Sequence, residues 1–144
     1  MRARRRRLKL KRIFVSHSAK DRRFVVKLTS FLRSQGISYW YSSHHIAGAK
    51  QWHDEIGQAL KGCDWFLLVL SPNSVKSKWV KRELLYALQN DRYDGRIIPV
   101  LLKKCNHAKL SWTLSSFQFV SFDQNYKAGC DKVLKAITEG LKAN

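Results

Sequence analysis

One carboxylate in this chain stands where it could do chemistry on its own. Glu83 lies within Ser71-Pro-Asn-Ser-Val-Lys-Ser-Lys-Trp-Val-Lys-Arg-Glu-Leu-Leu-Tyr-Ala-Leu88, four residues after Trp79. Residues four apart on a helix sit one above the other, so the spacing puts an indole and a carboxylate on one side of a helix, beside the apolar stripe Val80, Leu84, Ala87 and Leu88. The run Trp65–Leu70 before it is wholly apolar and breaks at Ser71-Pro72-Asn73, which gives strand, loop and helix. Two readings of Glu83 follow. It is either a solvated helix glutamate paired with Lys78, Lys81 or Arg82, or a catalytic group at the carboxyl end of a strand, where open α/β sheets bind ligands.

Other reactive constellations are weaker. His44, His45 and His53 are close in sequence, but no nearby cysteine completes a metal site, and Asp54 or Glu55 would be the only further ligand, so no metal is expected. There is no GxGxxG, no GxxxxGK[ST] and no G-x-S-x-G, which removes the glycine-loop dinucleotide fingerprint, the P-loop and the serine-hydrolase elbow. The expected strand ends carry Ser16-His17, Tyr41-Ser42 and Ser71-Pro72 rather than the acidic cluster of a phospho-acceptor receiver. Cys63, Cys105 and Cys130 form no close pair and are expected to be reduced, mostly buried thiols.

The elements that position Glu83 follow from periodicity. Arg12–Ser16 reads as a first strand, and Ser18-Ala-Lys-Asp21 resembles a capping box. Phe24, Val25, Leu28, Phe31 and Leu32 mark a helix closed by Gly36. Ile37–Tyr41 is a second strand, Ser42–Lys50 a loop, Gln51–Leu60 a helix ended by Gly62, and Asp64–Leu70 a strand buried on both faces. Asp94-Gly95 turns into a strand over Arg96–Leu102, where Pro99 suggests an edge, a bulge or a strand end. Phe117–Val120 reads as the last strand, and Val133, Leu134, Ile137 and Leu141 as a closing helix. Strands alternating with helices predict an α/β, flavodoxin-like three-layer fold: a five-stranded parallel sheet with helices on both faces.

The chain of 144 residues is one domain's worth, and its formal charge is +18. Eight basic residues and no acid fall within residues 1–12, leaving +10 for the other 132. Residues 1–11 are therefore read as a basic arm, expected to be disordered, and 12–144 as the folded domain. The arm could meet an anionic partner, act as a targeting signal, or merely solubilise. No apolar run approaches the roughly 18 residues of a membrane span, and no secretory signal is apparent, so a soluble, cytoplasmic protein is expected.

Several of these stretches together resemble a known family. Ile13-Phe-Val-Ser-His-Ser-Ala-Lys-Asp21, Gly36 with Trp40-Tyr41, Ile46 and Gly48, Leu70-Ser-Pro-Asn-Ser, Ser77-Lys-Trp-Val-Lys-Arg-Glu-Leu84 and Ile97-Ile-Pro-Val-Leu101 occur in the order of a Toll/interleukin-1 receptor (TIR) domain of bacterial type. The resemblance covers about residues 12–141 and implies the flavodoxin-like fold reached above. It also implies one of two functions: cleavage of NAD at the nicotinamide–ribose bond, to ADP-ribose or a cyclic derivative, activated by self-association, or non-enzymatic signalling by homotypic TIR–TIR binding. Under the first, NAD is the substrate and no resident cofactor is needed. Glu83 falls on the family's catalytic glutamate and Trp79 on its aromatic neighbour. Ser16, His17, Ser18 and Lys20 fall where relatives contact ribose or phosphate. The segment with Ser43, His44, His45, Ile46 and Gly48 corresponds to the loop that mediates assembly, although Ser42-Ser43-His44-His45 and Ala49-Lys50 depart from its acidic pattern.

Overall fold

The computed structural model describes residues 11–41 and 49–140, with the side chains of 49–53 left aside. The strands among the described residues are β1 (Arg12–Ser16), β2 (Ser38–Tyr41), β3 (Trp65–Leu70), β4 (Ile97–Leu101) and β5 (Val120–Ser121). The α-helices among the described residues are α1 (Arg22–Ser34), α2 (Ala49–Gly62), α3 (Lys78–Gln89) and α4 (Tyr126–Glu139). All strand pairs are parallel, in the order β2-β1-β3-β4-β5, the flavodoxin-like arrangement expected.

The apolar run of β3 is buried throughout because it supplies both cores at once. Successive side chains of a strand point to opposite faces. Trp65, Leu67 and Val69 pack with Val25, Leu28 and Leu32 of α1 and Val133 and Ile137 of α4. Phe66, Leu68 and Leu70 pack with Ile56 and Leu60 of α2 and Val80, Leu84 and Ala87 of α3. β1 keeps the same phase, with Ile13 and Val15 on the α1/α4 side and Phe14 on the α2/α3 side. That parity turns Ser16, two residues beyond Phe14 and level with Leu68, toward α3.

Gly36, at φ +83°, closes α1. Its N–H bonds to the Arg33 carbonyl and the Ile37 N–H reaches back to Leu32, both at 3.0 Å, the paired bonds of a Schellman ending. Gly95 takes φ +71° in the expected turn before β4.

Four readings need correction. The last strand is Val120–Ser121, not Phe117–Val120; residues 112–116 form a 3-10 turn, and Phe117 and Phe119 are half-buried against the α2/α3 core outside the ladder. α2 begins at Ala49, so the loop read over Ser42–Lys50 is shorter by two residues. Pro99 stands mid-strand, level with Leu68 of β3. The β4 residues that bond to β3 are the even-numbered ones, since Phe66 N–H donates to Arg96 and Leu102 N–H to Leu70, both at 2.9 Å. Pro99 therefore faces β5, whose ladder starts only at Val100 and Val120, so the missing N–H costs no ladder bond.

The fourth correction is the capping box. Ser18 does cap, its Oγ accepting from the Lys20 N–H at 3.2 Å, but over a 3-10 turn, Ala19–Asp21. Asp21 points elsewhere, as described below.

Candidate active site

α3 starts where Ser77 Oγ accepts the Val80 N–H at 3.2 Å. From there Val80, Glu83, Leu84 and Ala87 are its buried residues, so Glu83 lies within the core-facing stripe rather than beside it. Only 2 % of Glu83 is exposed, which removes the solvated-glutamate reading. Its Oε1 accepts a hydrogen bond of 2.7 Å from the Ser16 hydroxyl, across 67 residues of sequence. The last residue of β1 thus fixes one carboxyl oxygen.

Trp79 is half-buried one turn earlier, with the Arg82 guanidinium 4.9 Å from its ring centre. Trp79, Arg82, Glu83 and Tyr86 form one wall of a cavity of about 510 Å³. Asp54, Ile56, Leu60 and Lys61 of α2 are among those facing them. That volume lies within the range of small-molecule sites, about 300–1,000 Å³.

A buried polar clasp joins the two loops at this end of the sheet. The Asp21 carboxylate accepts from Ser71 Oγ at 2.5 Å and from Asn73 Nδ2 at 3.0 Å. Ser71 Oγ in turn accepts from the N–H groups of Asn73 (3.2 Å) and Ser74 (3.1 Å). The β1–α1 connection and the loop leading into α3 are held together by these bonds, which sets where α3 begins and hence where Trp79 and Glu83 stand.

The other residues singled out in the sequence fall as follows. Ser16 is fully buried and donates to the Glu83 carboxyl group. His17 is 6 % exposed and meets Tyr41 of β2 edge-on at 5.4 Å. Ser18 is half-buried and Lys20 exposed. Ser43, His44, His45, Ile46 and Gly48 lie outside the described residues, as does the arm to residue 10. Among the described residues no three His, Cys, Asp or Glu side chains gather as a metal site, and no helix is long and apolar enough to cross a membrane.

The thiols are poor nucleophiles at neutral pH. Burial pushes Cys63 up to about 11, and burial, with Asp21 nearby, raises Cys105. Cys130 is raised by burial as well. Tyr86, Lys61 and the clasp at Asp21 went unread in the sequence, and Arg82 and Asp54 were read only as an ion-pair partner of Glu83 and a weak metal ligand. Arg82 and Tyr86 had a signal, since each lies three residues beyond Trp79 or Glu83 on the same helix.

The sequence profile of the family described as TIR domain matches residues 13–134. This chain belongs to the TIR-domain family. A probable 2' cyclic ADP-D-ribose synthase, TcpO, of Methanobrevibacter olleyae is 27 % identical over 90 residues, 62 % of this chain and 26 % of the relative. The 2' cyclic ADP-D-ribose synthase BtTIR of Bacteroides thetaiotaomicron is 28 % identical over 72 residues, 49 % of this chain and 25 % of the relative. The chain spans about a quarter of the length of these curated relatives. Among solved structures, the TIR domain of the Toll-related receptor TRR-2 of Hydra magnipapillata superposes with a TM-score of 0.71 at 18 % identity, covering 88 % of this chain and 97 % of the other. The TIR domains of the activated Roq1 resistosome give 0.62 at 16 %, covering 90 % and 98 %. Such similarity fixes the TIR fold; the chemistry has to be argued from the site.

Proposed function

We propose that this TIR domain cleaves NAD at the nicotinamide–ribose bond, with Glu83 as the catalytic carboxylate, to give nicotinamide and ADP-ribose or a cyclic derivative. One observation carries the reading: a carboxylate oriented by Ser16 at the carboxyl end of the sheet, on the wall of a cavity of about 510 Å³ beside Trp79. The names of the two curated relatives, both cyclic ADP-ribose synthases, support it.

A single carboxylate suffices for this reaction. Glycosidases generally need one carboxyl group to protonate the leaving group and another to face the oxocarbenium-like sugar. Nicotinamide departs from a cationic pyridinium as a neutral ring, so no proton has to be supplied. Glu83 then serves as the anion facing the developing positive charge on the ribose, and Trp79 offers an aromatic surface to the ribose or the nicotinamide. Water, or a nucleophile within the same ADP-ribose such as a ribose hydroxyl or an adenine nitrogen, captures the sugar, and a hydroxyl or water releases its proton on doing so, which sets the linear or cyclic product.

Activation by self-association belongs to the same proposal. At 2 % exposure Glu83 is covered in the single chain, so a substrate meets it only after its surroundings yield, and assembly is a means of holding them open. The resistosome relative, whose TIR domains sit in an activated assembly, supports this part.

The test is NAD turnover by the purified chain across a concentration series, with nicotinamide and ADP-ribose isomers separated by chromatography and identified by mass. Glu83→Ala and Glu83→Gln should each lose about 100-fold or more, the scale of a transition-state electrostatic contact. Turnover surviving both substitutions removes Glu83 from the mechanism. Reversible association with no NAD loss at any concentration leaves the homotypic binding module instead.

A further inference from the structure

The cavity beside Glu83 carries more chemistry than the cleavage of one bond uses. Trp79, Arg82 and Tyr86 stand at i, i+3 and i+7 of α3, so they follow one side of the helix and share the cavity wall. Trp79 and Tyr86 are seven residues apart, about 10 Å along the axis. Tyr86 is half-buried, and its hydroxyl accepts from Asn90 Nδ2 at 3.1 Å, which steadies the phenol at the far end of the wall. The wall thus runs ring, cation, ring.

Arg82 is placed rather than merely solvated. Its guanidinium sits over the Trp79 ring, 4.9 Å from the centre, a contact that restrains a long side chain without spending its N–H donors. Among the described residues no carboxylate pairs with it, although Asp54 lines the same cavity. Lys61 adds a second cation from α2, whereas Lys20, the cation that the family resemblance puts near phosphate, is not among the described residues lining the cavity. Glu83 is buried and turned inward to Ser16, while its neighbour Arg82 is exposed, so the two opposite charges lie at the floor and at the rim.

We propose that Arg82 binds the diphosphate of the dinucleotide at the rim, with the adenosine half continuing toward Tyr86. The inference rests on the reading of Glu83 as the group that faces the nicotinamide ribose, and it sets which way the substrate runs. NAD carries a cationic pyridinium at one end and an anionic diphosphate between its nucleosides. A buried carboxylate and an exposed guanidinium offer the opposite charges at the matching depths. The fork of an arginine presents parallel N–H groups that fit a phosphate bidentately, and its plane is already held by the indole. Asp54 and Glu83 balance Lys61 and Arg82, so the fit comes from where the charges stand and not from net charge.

Calorimetric titration of the full chain with ADP-ribose, which keeps the diphosphate and lacks the reacting pyridinium, tests the contact without turnover. Arg82→Gln should weaken binding by about tenfold or more, the scale of hydrogen bonds to a charged group, and Arg82→Lys should recover only part of it. Lys132→Gln removes an equal charge from α4, on the other face of the sheet, and should stay within about twofold of the parent. In NAD turnover Arg82→Gln should raise KM with kcat nearly unchanged, because the diphosphate lies away from the bond that breaks. No binding of ADP-ribose by the parent, or equal affinity of the parent and Arg82→Gln, overturns the proposal, as does an equal loss in Lys132→Gln. A fall in kcat at unchanged KM overturns it too, since Arg82 would then serve only to place Trp79. Turnover that survives Glu83→Gln while Arg82→Gln still weakens ADP-ribose removes the catalytic reading and leaves the diphosphate contact standing.

Discussion

Replacing Ser16 by alanine removes one oxygen from the centre of the site and almost no volume. That oxygen is the donor to Glu83 Oε1 at 2.7 Å, and both residues are buried. Removing one partner of a buried hydrogen bond costs about 1–3 kcal/mol. Unfolding entropy of about 2.1 cal/mol/K per residue amounts to roughly 300 cal/mol/K for this chain, so 1 kcal/mol moves the melting midpoint by about 3 °C. Ser16→Ala should therefore lower it by about 3–10 °C. The assay is a double-mutant cycle read by thermal melting, with Glu83→Met, of similar length and without an acceptor for the hydroxyl, as the second arm. In that background Ser16→Ala should cost almost nothing. An equal drop with and without Glu83 would show that Ser16 stabilises the fold by some other route, and the account of how the carboxylate is held would be wrong. If the proposed chemistry is right, the same substitution lowers kcat for NAD with little change in KM, because the hydroxyl acts by positioning Glu83.

Two further outcomes follow from the cores. Burial raises Cys63 from 9.0 to about 11, so the unfolded chain loses that proton first as pH rises. The stabilisation is complete below pH 9 and disappears as pH climbs through 11, a loss of about 2–3 kcal/mol. Melting midpoints between pH 7 and 11 should fall less steeply for Cys63→Ala than for the parent. Gly129 of α4 is filled from above by Phe122, whose Cδ2 lies 2.6 Å from where a Cβ would stand. That ring is held by Phe24 at 5.0 Å and Tyr126 at 5.7 Å. Gly129→Ala should cost about 1–2 kcal/mol after the roughly 1 kcal/mol gain in helix propensity, and an unchanged or higher melting midpoint would mean that the ring moves freely.

Much of the scaffold was legible because it is locally encoded. The apolar run of β3, the spacing of Val80, Leu84 and Ala87, and Gly36 after α1 each reflect a repeat or a φ angle that short-range physics dictates. Legibility failed where a pattern had two uses. Phe117 and Phe119 alternate like a strand, yet their rings are accommodated against the α2/α3 core without a ladder. Pro99 read as an edge, a bulge or a strand end, yet it stands mid-strand beside the short reach of β5. Asp21 had the spacing of a cap and was taken instead by Ser71 and Asn73, fifty and fifty-two residues away.

What the sequence determined by itself was therefore the alternation of elements, the parallel sheet and a helix after the third strand that carries a carboxylate one turn from an indole. Whether that carboxylate was a wet surface charge or a buried group was decided by tertiary structure alone. Helical periodicity places Glu83 near the apolar stripe but says nothing about what lies opposite. The parity of β1 and its register against β3 deliver Ser16 to Glu83, and α2 closes the cavity that both Glu83 and Trp79 face. Burial and orientation of a single charge are long-range properties, set by residues that meet only when the sheet has formed.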